Sequence, residues 1–398
     1  MKKTLLATAI AGVVGTLATG AQAATVYNQD GSKLDVYGNL QISWKNVQDE
    51  DGNYQDELFD NGSTIGFRGE HIINPNLTGY FRAEFEFNAD EQKGYYDSLD
   101  NNSDGSGLSK GDQAYLGLTG EFGDLRIGSW DPLMDDWIDD PISNNEYFDN
   151  TEAQSDISSQ KHEGNKITYT SPIMAGLQFA VGFNYYGDDD ELDDYAYNDN
   201  IPEDQGRFVG RDGKASPFGG VRYTTGGLTL AAVYDDLDNF AYQDFAGTTT
   251  VTNTDAFGNT TTVNVGNYDN KQDFGSVYGM NASYQWDTLR VALKYEKLDA
   301  DWSSNADVDR YALGARWGYG NGDLYGSYQY VDAEANAVRL VDPEGFDTDN
   351  TNDKSYNEVV LGGTYNLSAQ MYVYLEGASY DREEDNGTGV ATGVVYSF

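Results

Sequence analysis

Between Trp130 and Gln160 the chain carries Asp131, Asp135, Asp136, Asp139, Asp140, Glu146 and Asp149, and neither lysine nor arginine. Carboxylates spaced this closely make a field that attracts cations and repels anions, and each disfavours the ionisation of its neighbours. Taken one at a time they are solvated residues of a connecting segment. Gathered in a confined space, they would act as an electrostatic filter. Other chemistry finds little footing. His71 and His162 lie far apart in sequence and offer no metal-ligand spacing. No nucleophile elbow, phosphate-cradling glycine loop or Ser-His-Asp arrangement stands out, so no enzymatic activity is expected. The run Asp188-Asp-Asp-Glu-Leu-Asp-Asp194 lacks the ligand-and-glycine spacing of an EF-hand. It reads as a solvated tip, and loosely held Ca²⁺ or Mg²⁺ at such acidic loops is the most it offers. No cofactor is expected.

Several features bound what could position these groups. The chain has 398 residues and a formal charge of −42, which becomes −44 without Lys2 and Lys3. Nucleic acid would be repelled and cations drawn in, although acidic surfaces also suit a saline habitat. There are no cysteines, hence no disulfide framework and no thiolate metal site. Met1, Lys2 and Lys3, an apolar run over 5–17 and the Ala21-Gln22-Ala23 site form a signal-peptide pattern over 1–23. Export and a single domain over 24–398 are therefore expected. With 31 Tyr, 46 Gly and only 7 Pro, long strands are favoured over helices.

The remainder alternates with period two. Sixteen strands are predicted, at 34–47, 63–73, 77–89, 111–119, 123–129, 164–172, 176–187, 217–226, 227–236, 273–286, 288–298, 308–319, 322–332, 355–366, 370–382 and 388–398. In 288–298, Leu289, Val291, Leu293 and Tyr295 oppose Arg290, Lys294 and Glu296. In the last segment, Val390, Thr392, Val394, Tyr396 and Phe398 oppose Gly389, Ala391, Gly393 and Ser397. Short turns such as 73–76, 120–123 and 286–288 alternate with long acidic connections at 48–62, 90–110, 130–163, 188–216, 237–272, 299–307, 333–354 and 383–387. Tight turns on one rim and long loops on the other are the pattern of a transmembrane antiparallel β-barrel. An all-β barrel of even strand number is the expected fold.

Several stretches resemble the general porins of Gram-negative bacteria. They are Thr25 to Gly38, Gly66-Phe-Arg-Gly-Glu70, Leu77-Thr-Gly-Tyr80 with Glu84, Ala114-Tyr-Leu-Gly-Leu118 and Gly389 to Phe398. No single motif is specific, but their order and spacing together are. The resemblance implies a homotrimer of 16-stranded barrels in the outer membrane, in contact with lipid and lipopolysaccharide and inserted by the barrel-assembly machinery. Tyr396 and Phe398 are then the candidate assembly signal. It also implies that the third external loop, here 130–163, folds into the lumen opposite a basic wall. At the corresponding wall positions stand Asn39, Thr64, Asp112 and His162, three without charge and one acidic. Arg68, Arg82 and Arg126, with Glu84 beside Arg82, are the remaining wall candidates. A net negative throat is therefore expected.

The function expected is passive diffusion of ions and small hydrophilic solutes, with preference for cations. A second reading is a substrate-selective channel, for example for oligosaccharides, with Trp130, Trp137 and Tyr147 as a stacking surface. A third, from another class, is a soluble or surface-adhesive acidic β-protein.

Overall fold

The computed structural model describes residues 23–49, 51–90, 110–153, 164–185, 187, 207–210, 214–254, 260–337, 354–382 and 385–398. The signal-peptide pattern before residue 23, His162 and the acidic run 188–194 lie outside the described residues, as does the side chain of Asp112.

The first strands are β1 (Ala24–Gln29), β2 (Ser32–Gln48), β3 (Tyr54–Asp60), β4 (Thr64–Asn74), β5 (Leu77–Glu86), β6 (Lys110–Gly120) and β7 (Gly123–Ser129). Next come β8 (Lys166–Thr170), β9 (Leu177–Tyr185), β10 (Arg207–Gly210), β11 (Ala215–Thr225), β12 (Leu228–Asp236), β13 (Phe240–Thr254) and β14 (Thr260–Asp273). The last are β15 (Gly275–Trp286), β16 (Leu289–Ala300), β17 (Val308–Gly318), β18 (Asp323–Ala333), β19 (Lys354–Asn366), β20 (Met371–Tyr380) and β21 (Gly389–Ser397).

Sixteen of these close on themselves. β4 to β9, β11, β12 and β15 to β21 run in order, each antiparallel to the next. β2 completes the ring, pairing with β4 from Ser32↔His71 to Asn39↔Thr64 and with β21 from Asn39↔Ser397 to Val47↔Gly389. Closure pairs each of these sixteen strands on both sides, as a membrane demands. Each predicted strand has its counterpart, displaced by a few residues at most.

Three predicted loops contain strands, among them 188–216, which holds β10. Segment 48–62 contains β3, which pairs with the far half of β2 and continues the line of β4. Segment 237–272 contains β13 and β14, a hairpin that forms a separate three-stranded sheet with β10. The β-branched runs Thr248 to Thr252 and Thr260 to Val265 carry strand propensity, which the acidic flanks concealed.

The two faces of the wall invert the order of a water-soluble protein. Leu116, Ile127, Val181, Leu293, Leu313, Leu361 and Leu375 stand exposed on the outside, Leu361 at 64%. Arg310, Glu296, Gln329 and Glu358 are buried on the inside, and Lys294 and Glu376 nearly so. Apolar-out and polar-in alternation is stable when hydrocarbon lies outside and water or protein inside. Aromatics bracket the apolar band. Tyr234, Tyr278, Tyr295 and Tyr311 neighbour one another near the long-loop rim, where two pairs of rings lie 5.2 Å apart. Trp286, Trp317, Tyr319 and Tyr365 stand exposed near the tight turns. Such girdles mark the two interfaces of a bilayer. The main buried apolar cluster is consequently inside the barrel, where Met134, Trp137, Ile138 and Ala153 of the connection after β7 pack against Val233, Phe274, Val277, Leu298 and Val331.

Candidate pore constriction

The connection after β7 lies against the inner wall. It leaves β7 under a clamp: the buried Lys166 ammonium donates to the carbonyls of Trp130 and of Asp131, the latter at 3.1 Å. Gln113 donates to Asp131 Oδ2 at 2.6 Å. A five-residue π-helical turn, Asp135–Asp139, follows. Met134 and Ile138, on its apolar side, press against β15 at Gly279. A Cβ there would come within 2.4 Å of Met134 Sδ and 2.8 Å of Ile138 Cγ1, so the turn needs glycine beneath it. Gly314 on β17 similarly admits the backbone of Ile142.

From Glu146 onwards the loop is strapped down by carboxylates of the wall. Glu376 on β20 accepts the amides of Glu146, Tyr147 and Phe148 at 2.7, 2.8 and 3.0 Å. Glu358 on β19 accepts the Thr151 amide at 2.9 Å and its hydroxyl at 3.0 Å. Glu296 on β16 accepts the Ala153 amide at 2.5 Å. Hydrogen bonds to ionised acceptors are the strong kind. Cations of the same wall complete the anchorage. Arg316 donates to the Asn144 carbonyl at 2.7 Å and lies 3.7 Å from Glu146, while Lys294 bridges Asp139 and Glu296. Arg382 holds Glu358 at 2.7 Å.

The seven predicted loop acids therefore have different surroundings. Asp139 is buried on Lys294. Glu146 accepts from Tyr372 at 2.8 Å, Asp140 from Asn144 at 2.9 Å and Asp149 from Ser143 at 2.6 Å. Asp136 and Asp149 are exposed, while Asp131 and Asp135 are half-buried. Depth within the barrel pushes the Asp136 carboxyl up to about 7, helped by Asp140 and Asp131 and opposed by Arg126 and Lys166. Its side chain still meets lumen water, which tempers that effect. Burial likewise pushes Asp140 up to about 6 and raises Glu146. Asp139 is raised by burial and by Glu296 beside it, against the pull of Lys294.

Among the predicted wall residues, Asn39 and Thr64 face each other, the Thr64 amide donating to Asn39 Oδ1 at 3.2 Å. Arg68 and Arg82 are register partners, held by Asp35 at 3.0 Å and by Glu84 at 3.0 Å respectively. Arg82 also donates to the Tyr37 hydroxyl at 2.6 Å. Arg126 stacks on Tyr115 and Trp130, 4.5 and 5.2 Å from their ring centres. Trp130 and Trp137 are buried, capped by Lys166 and by Arg222 at 4.7 and 4.6 Å, so they pack the loop rather than line a water path.

Sequence reasoning did not single out Lys166, Arg222, Arg316, Arg382, Glu358 or Glu376. The signal was present in the alternation, since Glu376 follows Leu375, which faces outward at 64% exposure. The loop carboxylates meet the expected Arg126 on β7, and also Lys166 on β8 and Arg222 on β11.

A closed ring of sixteen strands, oily outside and charged inside, with one loop strapped across its lumen, is a channel architecture. A family model for Gram-negative porins matches residues 7–385. The chain belongs to that family. It is an outer-membrane protein. A monosaccharide porin from a Halomonas species is 46% identical over 415 aligned positions that span both chains in full. Among solved structures, Salmonella typhi OmpF in complex with daunomycin superposes with a TM-score of 0.64 at 18% identity, covering 94% of this chain and all of that one. An anion-selective porin from Comamonas acidovorans reaches 0.59 at 18% identity, covering 92% and 100%. These two likenesses concern the fold. The same barrel serves an anion-selective protein, so the sign of selectivity rests with side chains.

Proposed function

We propose that this porin passes small hydrophilic solutes and ions by diffusion, without catalysis, and that it prefers cations. The observation that carries the preference is the loop itself. Asp136 and Asp149 stand exposed on it, and no lysine or arginine lies within 131–159 to offset them. The net charge of −42 adds a broad negative potential that concentrates cations near the mouth. The reversal potential of reconstituted channels under a KCl gradient tests this. A sign corresponding to chloride preference at low salt would refute it.

The 46% identical relative described as a monosaccharide porin supports a second reading, in which neutral monosaccharides are among the solutes that cross. Liposome swelling in glucose, compared with a disaccharide, tests it. A swelling rate no greater than that of protein-free vesicles would sink it. In keeping with the family resemblance, we also propose a homotrimer, with Tyr396 and Phe398 read by the assembly machinery. Chemical cross-linking in native membranes, and insertion of a Phe398→Ala variant, check these two points.

A further inference from the structure

A cavity of about 500 Å³ lies where the β2–β3 hairpin meets the strapped loop. Its lining includes Lys45, Val47, Asp49, Gln55 and Glu57 of the hairpin and Tyr147 of the loop. Strand pairing sets Lys45 opposite Glu57 and Val47 opposite Gln55. Trp44, Tyr54 and Leu58, which alternate with them, stand exposed on the outer side. Alternation therefore turns the four lining residues of the two strands towards the lumen.

The lining is amphipathic. Val47 and Tyr147 belong to the fringe of the apolar cluster around Phe148, Tyr374 and Tyr380, and they give the cavity an apolar patch. Beside that patch stand hydrogen-bonding groups of both kinds. The Lys45 ammonium lies 5.5 Å from the centre of the Tyr147 ring and pairs with Glu57 at 3.1 Å. Gln55 donates one N–H to Asp49 Oδ2 at 2.6 Å. An ammonium has three donors, a primary amide two donors and a carbonyl, and a carboxylate several acceptor sites. These groups can therefore bond a solute without giving up one another. They are also within its reach, since Gln55 is exposed and the Glu57 side chain is 59% exposed.

Acceptors alone would call for a cation, and donors alone for an anion. Donors and acceptors together, bordering an apolar patch, suit a neutral solute that carries hydroxyl groups around a C–H face. A pyranose has that make-up, and the volume falls within the range of small-molecule sites. We propose that this cavity is a docking site for a monosaccharide beside the constriction loop. The C–H face of the sugar lies against Val47 and Tyr147, and its hydroxyls bond to Lys45, Gln55 and Glu57. The inference rests on the reading in which neutral monosaccharides cross the channel, and it names the place where they pause.

The test records single-channel current through the intact protein in KCl, with glucose or sorbitol added. Sorbitol carries hydroxyls on an open chain and has no pyranose face. Glucose should reduce the conductance saturably, beyond the linear effect of either polyol on the solution. Sorbitol should need a concentration roughly five-fold higher, the worth of about one buried CH₂ group. Gln55→Leu should raise the half-saturating glucose concentration roughly five-fold, the worth of about one hydrogen bond. Tyr147→Leu should raise it as well. One variant changes the hairpin and the other the loop, so either decides the matter where its counterpart fails to insert. Equal action of the two polyols, or variants that answer glucose as the parent does, would overturn the site while glucose still swells liposomes. Liposomes that do not swell in glucose would remove monosaccharide passage, and with it the premise of the site.

Discussion

Glu376 on the barrel wall accepts the backbone amide of Tyr147 at 2.8 Å, and the same carboxylate takes the amides on either side. An acidic loop is thus held in place by acids of the wall, because what it presents there is its backbone N–H groups rather than its own carboxylates. Glu376→Gln halves the acceptor capacity and turns a donor towards loop amides that are themselves donors. Hydrogen bonds to charged acceptors are worth about 1.5–3 kcal/mol each, so the strap should loosen. The expected result is a larger and noisier single-channel conductance, with folded barrel still recovered as a heat-modifiable band in SDS gels.

Gly279 predicts the opposite change. A side chain there would collide with Met134 and Ile138 and lift the Asp135–Asp139 turn from the wall. Gly279→Val should lower the conductance by displacing the turn into the passage. Overpacking of this kind costs roughly 1–3 kcal/mol, so the melting temperature should also fall. Unchanged current would show that the turn can slide along the wall.

Lys294 lies between Asp139 and Glu296, both buried. Lys294→Met keeps the length of the side chain and removes its charge, leaving Asp139 without its ion-pair partner and Glu296 with the field of Arg310. Removing one partner of a buried ion pair costs about 3–5 kcal/mol. The variant should lose its resistance to unfolding in SDS at a markedly lower temperature than the parent, as gel mobility after graded heating would show.

Selectivity should follow pH. Asp136 and Asp140 are pushed up to about 7 and about 6, and a carboxyl is charged above its pKa and neutral below it. Both are ionised at pH 8, and both are largely neutral at pH 5. Cation preference should therefore be fullest above pH 7 and decline as the solution is acidified towards pH 5. Asp136→Asn should remove the upper part of that titration, which reversal potentials measured from pH 8 to 5 would reveal.

Salt should act in the same direction. The Debye length shrinks from ~8 Å at physiological ionic strength to ~3 Å at 1 M. Preference set by Asp136 and Asp149 should weaken accordingly in concentrated KCl. A selectivity ratio independent of salt would point to a steric rather than an electrostatic filter.

The barrel was legible because period-two alternation and the rhythm of short and long connections are properties of the chain alone. Leu289, Val291, Leu293 and Tyr295 alternate with Arg290, Lys294 and Glu296 along the sequence, and the structure keeps the two sets on opposite faces. The anchors were not legible. Nothing local marks Glu358 as the partner of Thr151, some 200 residues earlier in the chain; only the closure of the ring brings them within 2.9 Å. The wall cations posed a similar problem. The family's basic positions fall at Asn39 and Thr64, whereas Lys166 and Arg222 meet the loop from strands further along. The hairpin of β13 and β14 was hidden for a simpler reason, since acidic composition outweighed its threonine and valine runs.

The Gly38 amide donates to the Phe398 carbonyl at 3.1 Å and the Phe398 amide to the Gly38 carbonyl at 3.0 Å, so the first and last staves of the cask interlock. That seam joins residues separated by almost the entire polypeptide, and no partial product can make it. Until the final segment is delivered, two raw borders of unpaired backbone remain. Closure of the ring therefore waits on the pairing of β2 with β21. Chains shortened even by one stave would be left open, with hydrocarbon pressing on bare amides.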